Sequence, residues 1–130
     1  MTRPTPAQSS PALSAEDQTA LLAFDDMLLL EHGLGDLTRA AYVSDLRLFG
    51  HWLARRQQRL VSASDADLRE YLAHRQQGAG QGKAAFGARS QARHITSARR
   101  FYRWLVRENR RQDDPTRLLD TPRMGRPLPK

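Results

Sequence analysis

The feature that most constrains this sequence is residues 88–108, ARSQARHITSARRFYRWLVRE, which separate into two faces when read at about 100° per residue. One face carries five arginines and a threonine within roughly 40° of a single line: Arg89, Arg93, Thr96, Arg100, Arg103 and Arg107. The opposite face is apolar and consists of Ile95, Ala98, Tyr102 and Leu105, flanked by Phe101 and Val106. A β-strand would alternate with a period of two residues, and this stretch does not. It is predicted to be an α-helix with an apolar back and a polar line that we call the basic stripe.

The basic stripe is either a solvated surface or a binding surface for a polyanion. Like charges three or four residues apart on a helix repel by about a few tenths of a kcal/mol per pair. Only Glu108 offsets the arginines, so this helix lacks the salt-bridge lacing of ordinary surface helices. The planar guanidinium also matches phosphate oxygens and guanine edges. These features favour a nucleic acid as the ligand.

The charge along the chain is strongly asymmetric, although the net charge is only +7. Residues 14–36 contain six carboxylates and no lysine or arginine, a net charge of −6. Residues 83–111 contain Lys83 and eight arginines against Glu108, a net charge of +8. A molecule with one acidic and one basic side is suited to docking on DNA in one orientation.

Several classes of function are disfavoured by what the sequence contains. The chain has no cysteine, so disulfides, thiolate metal sites and thiol catalysis are excluded. The histidines are scattered without the spacing of metal ligands and are predicted to be surface or half-buried residues: His32, His51, His74 and His94. No glycine pattern has phosphate-loop spacing, so neither a metal nor a cofactor is predicted. No apolar run approaches the ~20 residues that span a bilayer, and no export signal starts the chain, so we expect no membrane contact and a cytoplasmic, nucleoid-associated location.

The apolar periodicity predicts one all-α domain, a compact bundle of four to five helices at residues 14–120. Proline-rich ends predict a disordered tail at 1–13 and an extended linker at 121–130. Residues 77–87 contain four glycines and are predicted to be a flexible loop. Ser14 and Ser64 are predicted to begin the first and third helices. The predicted helices cover about 14–31, 37–57, 64–76 and 88–108, with a short fifth helix that begins at Asp113-Asp114-Pro115.

The first three helices carry the remaining predicted core on their apolar faces: Leu21, Phe24, Leu28, Tyr42, Leu46, Phe49, Trp52, Leu53, Leu68, Tyr71 and Leu72. Leu118 and Leu119 are predicted to pin the fifth helix to the bundle. In the first helix, Leu29 and Leu30 widen the apolar surface beyond one face. That helix is therefore either covered on both sides or partly in contact with another protein.

The second helix has a polar side that carries Arg47, with Thr38 and Arg39 in its first turn after Asp36. The first turn of a helix offers free N–H groups and a positive dipole end. Thr38 therefore either binds a phosphate there or merely caps the helix.

Four phrases, in their order and spacing, resemble the N-terminal core-binding domain of the Xer-type tyrosine recombinases, a SAM-like domain of the phage integrase family. They are GLGDLTRAAYVSDLRLFGHWL (33–53), SASDADLREYLAHR (62–75), ARSQARHITSARRFYRWLVRE (88–108) and DDPTRLLDTPRMGRPLPK (113–130). The resemblance covers about residues 15–130.

The resemblance implies one half of a C-shaped clamp around a duplex DNA half-site, with the second and fourth helices near the major groove. It places seven residues at or near DNA: Thr38, Arg39, Arg47, Arg89, Ser90, Arg93 and Thr96. The stripe and the charged loop add three further candidates to this DNA-binding set: Arg100, Arg103 and Lys83.

The resemblance also implies that the linker at 121–130 leads to a catalytic domain that this chain does not contain. Other recombinase protomers would be partners, with the first helix as a contact surface. The whole recombinase would break and rejoin DNA, whereas this chain alone would catalyse nothing. Its tyrosines lie on apolar faces and are predicted to be core residues and not nucleophiles: Tyr42, Tyr71 and Tyr102.

Two other functions compete with this one. A stand-alone regulator with a basic recognition helix is disfavoured, because the loop before the basic helix is too long for a helix-turn-helix. A helical protein–protein adaptor would use the acidic first helix as its partner surface. Salt dependence of binding separates a DNA-binding domain from an adaptor.

Overall fold

The computed structural model describes residues 12–79 and 87–119, and these residues form α-helices and one 3-10 helix without a β-strand. The prediction of an all-α fold is confirmed. The described residues divide into two units, one ending at Ala63 and one beginning at Ser64. The first unit contains α1, Ala15–His32, α2, Asp36–Ala54, and the 3-10 helix Leu60–Ser62; the second contains α3, Asp65–Ala79, and α4, Ala88–Arg107.

Helix α1 begins and ends where local chemistry predicts. Ser14 is the N-cap, and its hydroxyl accepts a hydrogen bond from the backbone N–H of Asp17 at 3.0 Å. Gly33 ends the helix with a φ of 62°, a left-handed conformation that costs glycine little. The predicted start and stop of the first helix are confirmed.

The core of the first unit lies where α1, α2 and the 3-10 helix pack together. Its fully buried side chains include Leu21, Phe24, Leu28, Leu46, Phe49, Leu53 and Leu60. Asp17 is also buried, and its carboxylate accepts hydrogen bonds from the backbone N–H groups of Leu60 at 2.7 Å and Val61 at 3.1 Å. A buried carboxylate is tolerated here because backbone donors satisfy it.

Leu13 also belongs to this core, although it was predicted to lie in the disordered tail at 1–13. The residue is buried and lies so close to Gly50 that a Cβ there would approach the leucine Cδ2 to 2.7 Å. A side chain at this point of α2 would therefore require the end of the Leu13 side chain to shift. Leu29 and Leu30 remain exposed, so α1 is not covered on both sides.

Helix α2 ends at Ala54, three residues earlier than predicted. Gln57 has a φ of 61°, and the N–H of Gln58 donates to the carbonyl of Leu53 at 2.9 Å. This left-handed turn satisfies the last carbonyls of the helix. Residues other than glycine rarely adopt this conformation, so the sequence did not predict the turn at Gln57.

Helix α3 begins with a reciprocal capping box. The hydroxyl of Ser64 accepts from the N–H of Asp67, and the carboxylate of Asp67 accepts from the N–H of Ser64, both at 3.1 Å. The helix continues to Ala79, so the prediction that 77–87 is entirely a loop is wrong at its first three residues. Residues 80–86 of that loop lie outside the described part of the chain.

More side chains of the second unit are buried than predicted. Leu68, Tyr71 and Leu72 of α3 are buried, as are the predicted core residues Ile95, Ala98, Phe101, Tyr102 and Leu105 of α4. His94 is also buried, with its ring 6.1 Å from that of Tyr71, so its prediction as a surface or half-buried residue is wrong. Trp104 is a further core residue, and its ring lies 6.1 Å from that of Phe101.

The predicted fifth helix is a hydrogen-bonded turn over residues 115–118. The carboxylate of Asp114 accepts from both the N–H and the hydroxyl of Thr116, at 2.8 and 2.6 Å. The N–H groups of Arg117 and Leu119 donate to carbonyls three residues back, those of Asp114 and Thr116, at 3.2 and 3.0 Å, so the segment is a turn and not an α-helix. Leu119 is buried as predicted, but Leu118 is 78% exposed and pins nothing.

Candidate nucleic-acid interface

Helix α4 presents the basic stripe to solvent, as its periodicity predicts. The side chains of Arg89, Arg93, Arg103 and Arg107 are exposed, and those of Thr96 and Arg100 are half-buried. The apolar face of the same helix is buried. The stripe is therefore a continuous cationic surface about five turns long.

Two arginines near the C-terminal end of the stripe have acidic partners and remain exposed. Arg103 lies 3.7 Å from the carboxylate of Asp114 and its side chain remains 67% exposed. Arg107 pairs with its neighbour Glu108 at 3.3 Å, also at the surface. Exposed pairs of this kind are worth about 0–1 kcal/mol. Arg89 has no ion pair with any residue in the described ranges.

Two polar residues of α4 lie off the stripe and have other surroundings. Gln91 is buried, in a groove that it shares with Leu72 of α3 and Leu119. Arg99 is half-buried and donates a hydrogen bond to the carbonyl of Leu119. Ser90 is half-buried in the first turn, next to Arg89.

In α2, the predicted DNA residue Arg39 is held by the protein itself. Its Nε donates to Asp25 of α1 at 2.8 Å, its Nη1 donates to the carbonyl of Leu34 at 2.8 Å, and its Nη2 lies 3.1 Å from Asp36. The hydrogen bond to Asp25 is the main cause of a raised pKa for Arg39, and the charges of both carboxylates add to it. The side chain is only 15% exposed. Arg39 therefore ties the first turn of α2 to α1.

Thr38 and Arg47 are exposed on α2. Gly35 is the N-cap and makes no side-chain capping bond, so α2 begins at Asp36, one residue earlier than predicted. The carboxylate of Asp36 is 93% exposed at the positive end of the helix dipole. A phosphate beside Thr38 would have to approach this negative charge.

The other groups that could take part in chemistry are not part of the basic stripe. Tyr71 and Tyr102 are buried, which agrees with their prediction as core residues, whereas Tyr42 is only half-buried and its prediction as a core residue is wrong. Within residues 12–79 and 87–119, no three side chains of the types that bind metals come together. No helix in the same ranges has the length and apolarity needed to cross a bilayer. Lys83 falls outside the described residues.

The fold and these residues agree with the results of comparing the chain with known proteins. The family model of the phage integrase N-terminal SAM-like domain matches residues 21–109. The chain belongs to this family. The described part of the SAM-like domain is thus α1 to α4, and the predicted resemblance is confirmed.

Proteins named tyrosine recombinase XerD match most of this chain. The protein of Agrobacterium fabrum is 41% identical over 94% of this chain and 35% of its own length. Those of Pseudomonas putida and Rhizobium meliloti are 42% and 44% identical over 91% and 83% of this chain. The chain spans about a third of the length of these relatives. No solved structure matches it.

Three features of α2 and α4 were not predicted from the sequence. The partners of Arg39 were not foreseen, because Asp25 lies fourteen residues away on another helix. Trp104 was not assigned to the core, although its spacing of three residues from Phe101 was a usable signal. The burial of Gln91 had no signal in the sequence beyond its direction away from the stripe.

Proposed function

We propose that this SAM-like domain binds duplex DNA as part of a site-specific tyrosine recombinase, with α4 and α2 as its DNA-contacting helices. The observation that carries the proposal is the exposed basic stripe of α4. Four of its five arginines are exposed, and their guanidinium groups suit phosphate oxygens and guanine edges. Family membership supports the same function, because the relatives are recombinases by name.

Within this proposal the predicted residues have different roles. Arg89, Ser90, Arg93 and Thr96 begin the stripe and are proposed to contact the DNA, with Arg100 and Arg103 at more distant phosphates. Thr38 and Arg47 are proposed as the contacts of α2, and Lys83 as a contact from the loop. Arg39 would act mainly by positioning the first turn of α2, since its donors already have acceptors in the protein.

The catalytic steps are proposed to take place in another part of the recombinase. We propose that strand cleavage and rejoining need a catalytic domain of the kind expected after residues 121–130. No catalytic residue is proposed in the present chain, whose tyrosines lie in or beside the core. Duplex DNA as the ligand implies a cytoplasmic, nucleoid-associated location.

The salt dependence of binding tests the proposal. For about four to five phosphate contacts, log K against log salt concentration should fall with a slope near −4. Non-specific dissociation constants at physiological salt should be in the range of about 10⁻⁴ to 10⁻⁶ M. Fluorescence anisotropy with a labelled mixed-sequence duplex measures both values. A slope near zero would contradict DNA binding and favour the adaptor function.

We also propose that α1 contacts another recombinase protomer. Leu22, Leu29 and Leu30 are 66%, 46% and 79% exposed on this helix, which is more apolar surface than a solvated helix needs. The acidic side chain of Asp26 lies among them on the same surface. A basic surface on the partner would complement it.

A double variant, Leu22→Ser with Leu30→Ser, tests the protomer contact. We expect cooperative binding of several protomers to a long duplex to weaken by about tenfold, which is the usual scale of coupling between sites. Affinity for a short duplex that holds one protomer should not change. Native gel shifts on both duplexes measure this, with Leu118→Ser as the exposed-leucine control. Equal cooperativity in parent and variant would exclude α1 as the contact.

A further inference from the structure

Helices α2 and α4 are two copies of one structural pattern, 52 residues apart. Residues 35–58 align with residues 87–110 without a gap. Both segments contain the sequence F-x-x-W-L-x-R, and the positions that are identical in the two copies are Gly35, Ala40, Arg47, Phe49, Trp52, Leu53 and Arg55.

The backbone repeats along with the sequence. Each helix has an extended glycine N-cap without a side-chain capping bond, with φ of −73° at Gly35 and −74° at Gly87. After each helix a residue with a φ of 61° follows, Gln57 in one copy and Asn109 in the other. In both copies the next N–H donates to the carbonyl of the shared leucine, at 2.9 and 2.8 Å. Residue n of α2 therefore corresponds to residue n + 52 of α4.

This correspondence reveals what α2 carries in place of the arginines. The positions equivalent to Arg89, Arg93, Thr96 and Arg100 are Leu37, Ala41, Ser44 and Leu48, and we call this part of the α2 line the apolar stripe. The line then continues with His51 and Arg55, which are equivalent to Arg103 and Arg107. Leu37 is 88% exposed and Leu48 is 42% exposed. These positions lie within about 40° of one line at 100° per residue. The same line is thus cationic along all of α4, whereas on α2 its first three turns are largely apolar and only its end is basic.

The apolar stripe is bordered by groups that suit a DNA backbone. Relative to Leu37, Thr38 lies at about +100° and Arg47 at about −80° around the helix. A hydroxyl and a guanidinium, both exposed, therefore flank the leucines on opposite sides, and the exposed carboxylate of Asp36 beside Leu37 is paired with Arg39 at 3.1 Å. Both groups donate hydrogen bonds to phosphate oxygens. A major groove has the complementary arrangement, with phosphates along its two edges and base edges on its floor.

Extending the proposed DNA contact of α2, we propose that the apolar stripe reads the C5-methyl groups of thymines in the major groove. The methyl of thymine is the apolar group among the base edges of that groove. Leu37 and Leu48 are separated by about 16 Å along the helix, a distance of four to five base pairs. In this division of roles, α4 supplies charge and α2 supplies sequence preference for A·T pairs.

The dimensions of the apolar stripe favour DNA over a protein partner. A stable protein interface buries about 800 Å² on each side. The stripe is one side chain wide, its two leucines are three turns apart, and charged or hydroxyl groups border it. It offers too little continuous apolar surface for such an interface.

Replacing thymine by uracil removes the methyl and tests the proposal. The complete 130-residue chain is titrated, at low salt, into a duplex of about 24 alternating A·T base pairs and into its uracil counterpart. Burial of one methyl-sized group corresponds to about a fourfold change in affinity. We expect the uracil duplex to bind about 3- to 15-fold more weakly. As a converse measurement, 5-methylcytosine should tighten binding to an alternating G·C duplex.

The double variant Leu37→Ala with Leu48→Ala should reduce the thymine preference to less than twofold. Both side chains are exposed, so the variant should fold, which circular dichroism verifies. Leu118→Ala removes an equally exposed leucine from the other unit and should retain the preference. Equal binding of the parent to both duplexes, or an unchanged preference in the double variant, would overturn the proposal.

Two further outcomes distinguish a failure of methyl readout from a failure of DNA binding. Salt-dependent binding without thymine preference would reject methyl readout and leave the proposed DNA-binding function intact. Absence of salt-dependent binding would reject the DNA-binding function itself. If the double variant changes the sedimentation mass but not the thymine preference, the stripe is a protein contact and methyl readout is wrong.

Discussion

Replacing Phe101 by alanine is expected to lower the free energy of unfolding by about 3–5 kcal/mol. The side chain has no exposed surface, and its ring lies 5.1 Å from that of Tyr102 in an edge-to-face arrangement. The ring of Trp104 is 6.1 Å away. Truncation removes the apolar burial, both aromatic contacts and the volume that the neighbours cannot fill. Urea denaturation followed by circular dichroism measures the change.

The matched control is Arg103→Ala, two residues along the same helix. Its side chain is 67% exposed and its ion pair with Asp114 is long, at 3.7 Å. Unfolding should change by no more than about 0.5 kcal/mol, as is usual for surface substitutions. A loss above about 2 kcal/mol for Arg103→Ala, or below about 1 kcal/mol for Phe101→Ala, would mean that the two faces of α4 are assigned the wrong way round.

The second large effect is on binding. The double variant Arg89→Ala with Arg93→Ala is expected to bind duplex DNA on the order of 100-fold more weakly, since each such arginine contributes about 1–3 kcal/mol. If both side chains hold phosphates, the slope of log K against log salt should also become less steep by about two. Thermal unfolding should stay almost unchanged because both side chains are exposed. Fluorescence anisotropy across a salt series gives both binding quantities.

A charge-matched control isolates the stripe from the general effect of positive charge. Arg69→Ala with Arg117→Ala removes the same two charges from exposed positions outside the stripe. Arg69 pairs with Asp65 in α3, so this variant leaves α4 intact. Its affinity should fall by less than about threefold, the scale of screened long-range electrostatics. Equal losses in the two double variants would show that net charge, and not the basic stripe, governs binding.

The sequence alone determined those parts of the protein that depend on residues within about one helical turn of each other. The opposed faces of α4 follow from its periodicity, and Phe101 and Arg103 lie on the faces that were predicted. The caps at Ser14 and Ser64 need only the serine hydroxyl and a backbone N–H three residues later, and both hydrogen bonds form. The family resemblance was also readable, because it depends on the order and spacing of short phrases.

The tertiary structure decided whatever depends on partners that are distant in sequence. Arg39 was predicted to contact DNA, but its hydrogen bond to Asp25 of α1 makes it a link between the two helices. Asp17 lies in the acidic segment, yet packing buries it beneath the backbone of Leu60, forty-three residues away. Neither outcome follows from the local sequence, since each depends on which helix faces which.

The same limit explains the errors after α4 and the alternatives that stayed open for α1. Pro115 after two aspartates suits a helix start equally well as a turn, and the N–H groups of Arg117 and Leu119, each donating to a carbonyl three residues back, form the turn. Leu30 and Leu118 have the apolar character of core residues but remain exposed. Hydropathy determines that a side chain gains free energy by burial, whereas only the tertiary structure determines whether a surface is present to bury it.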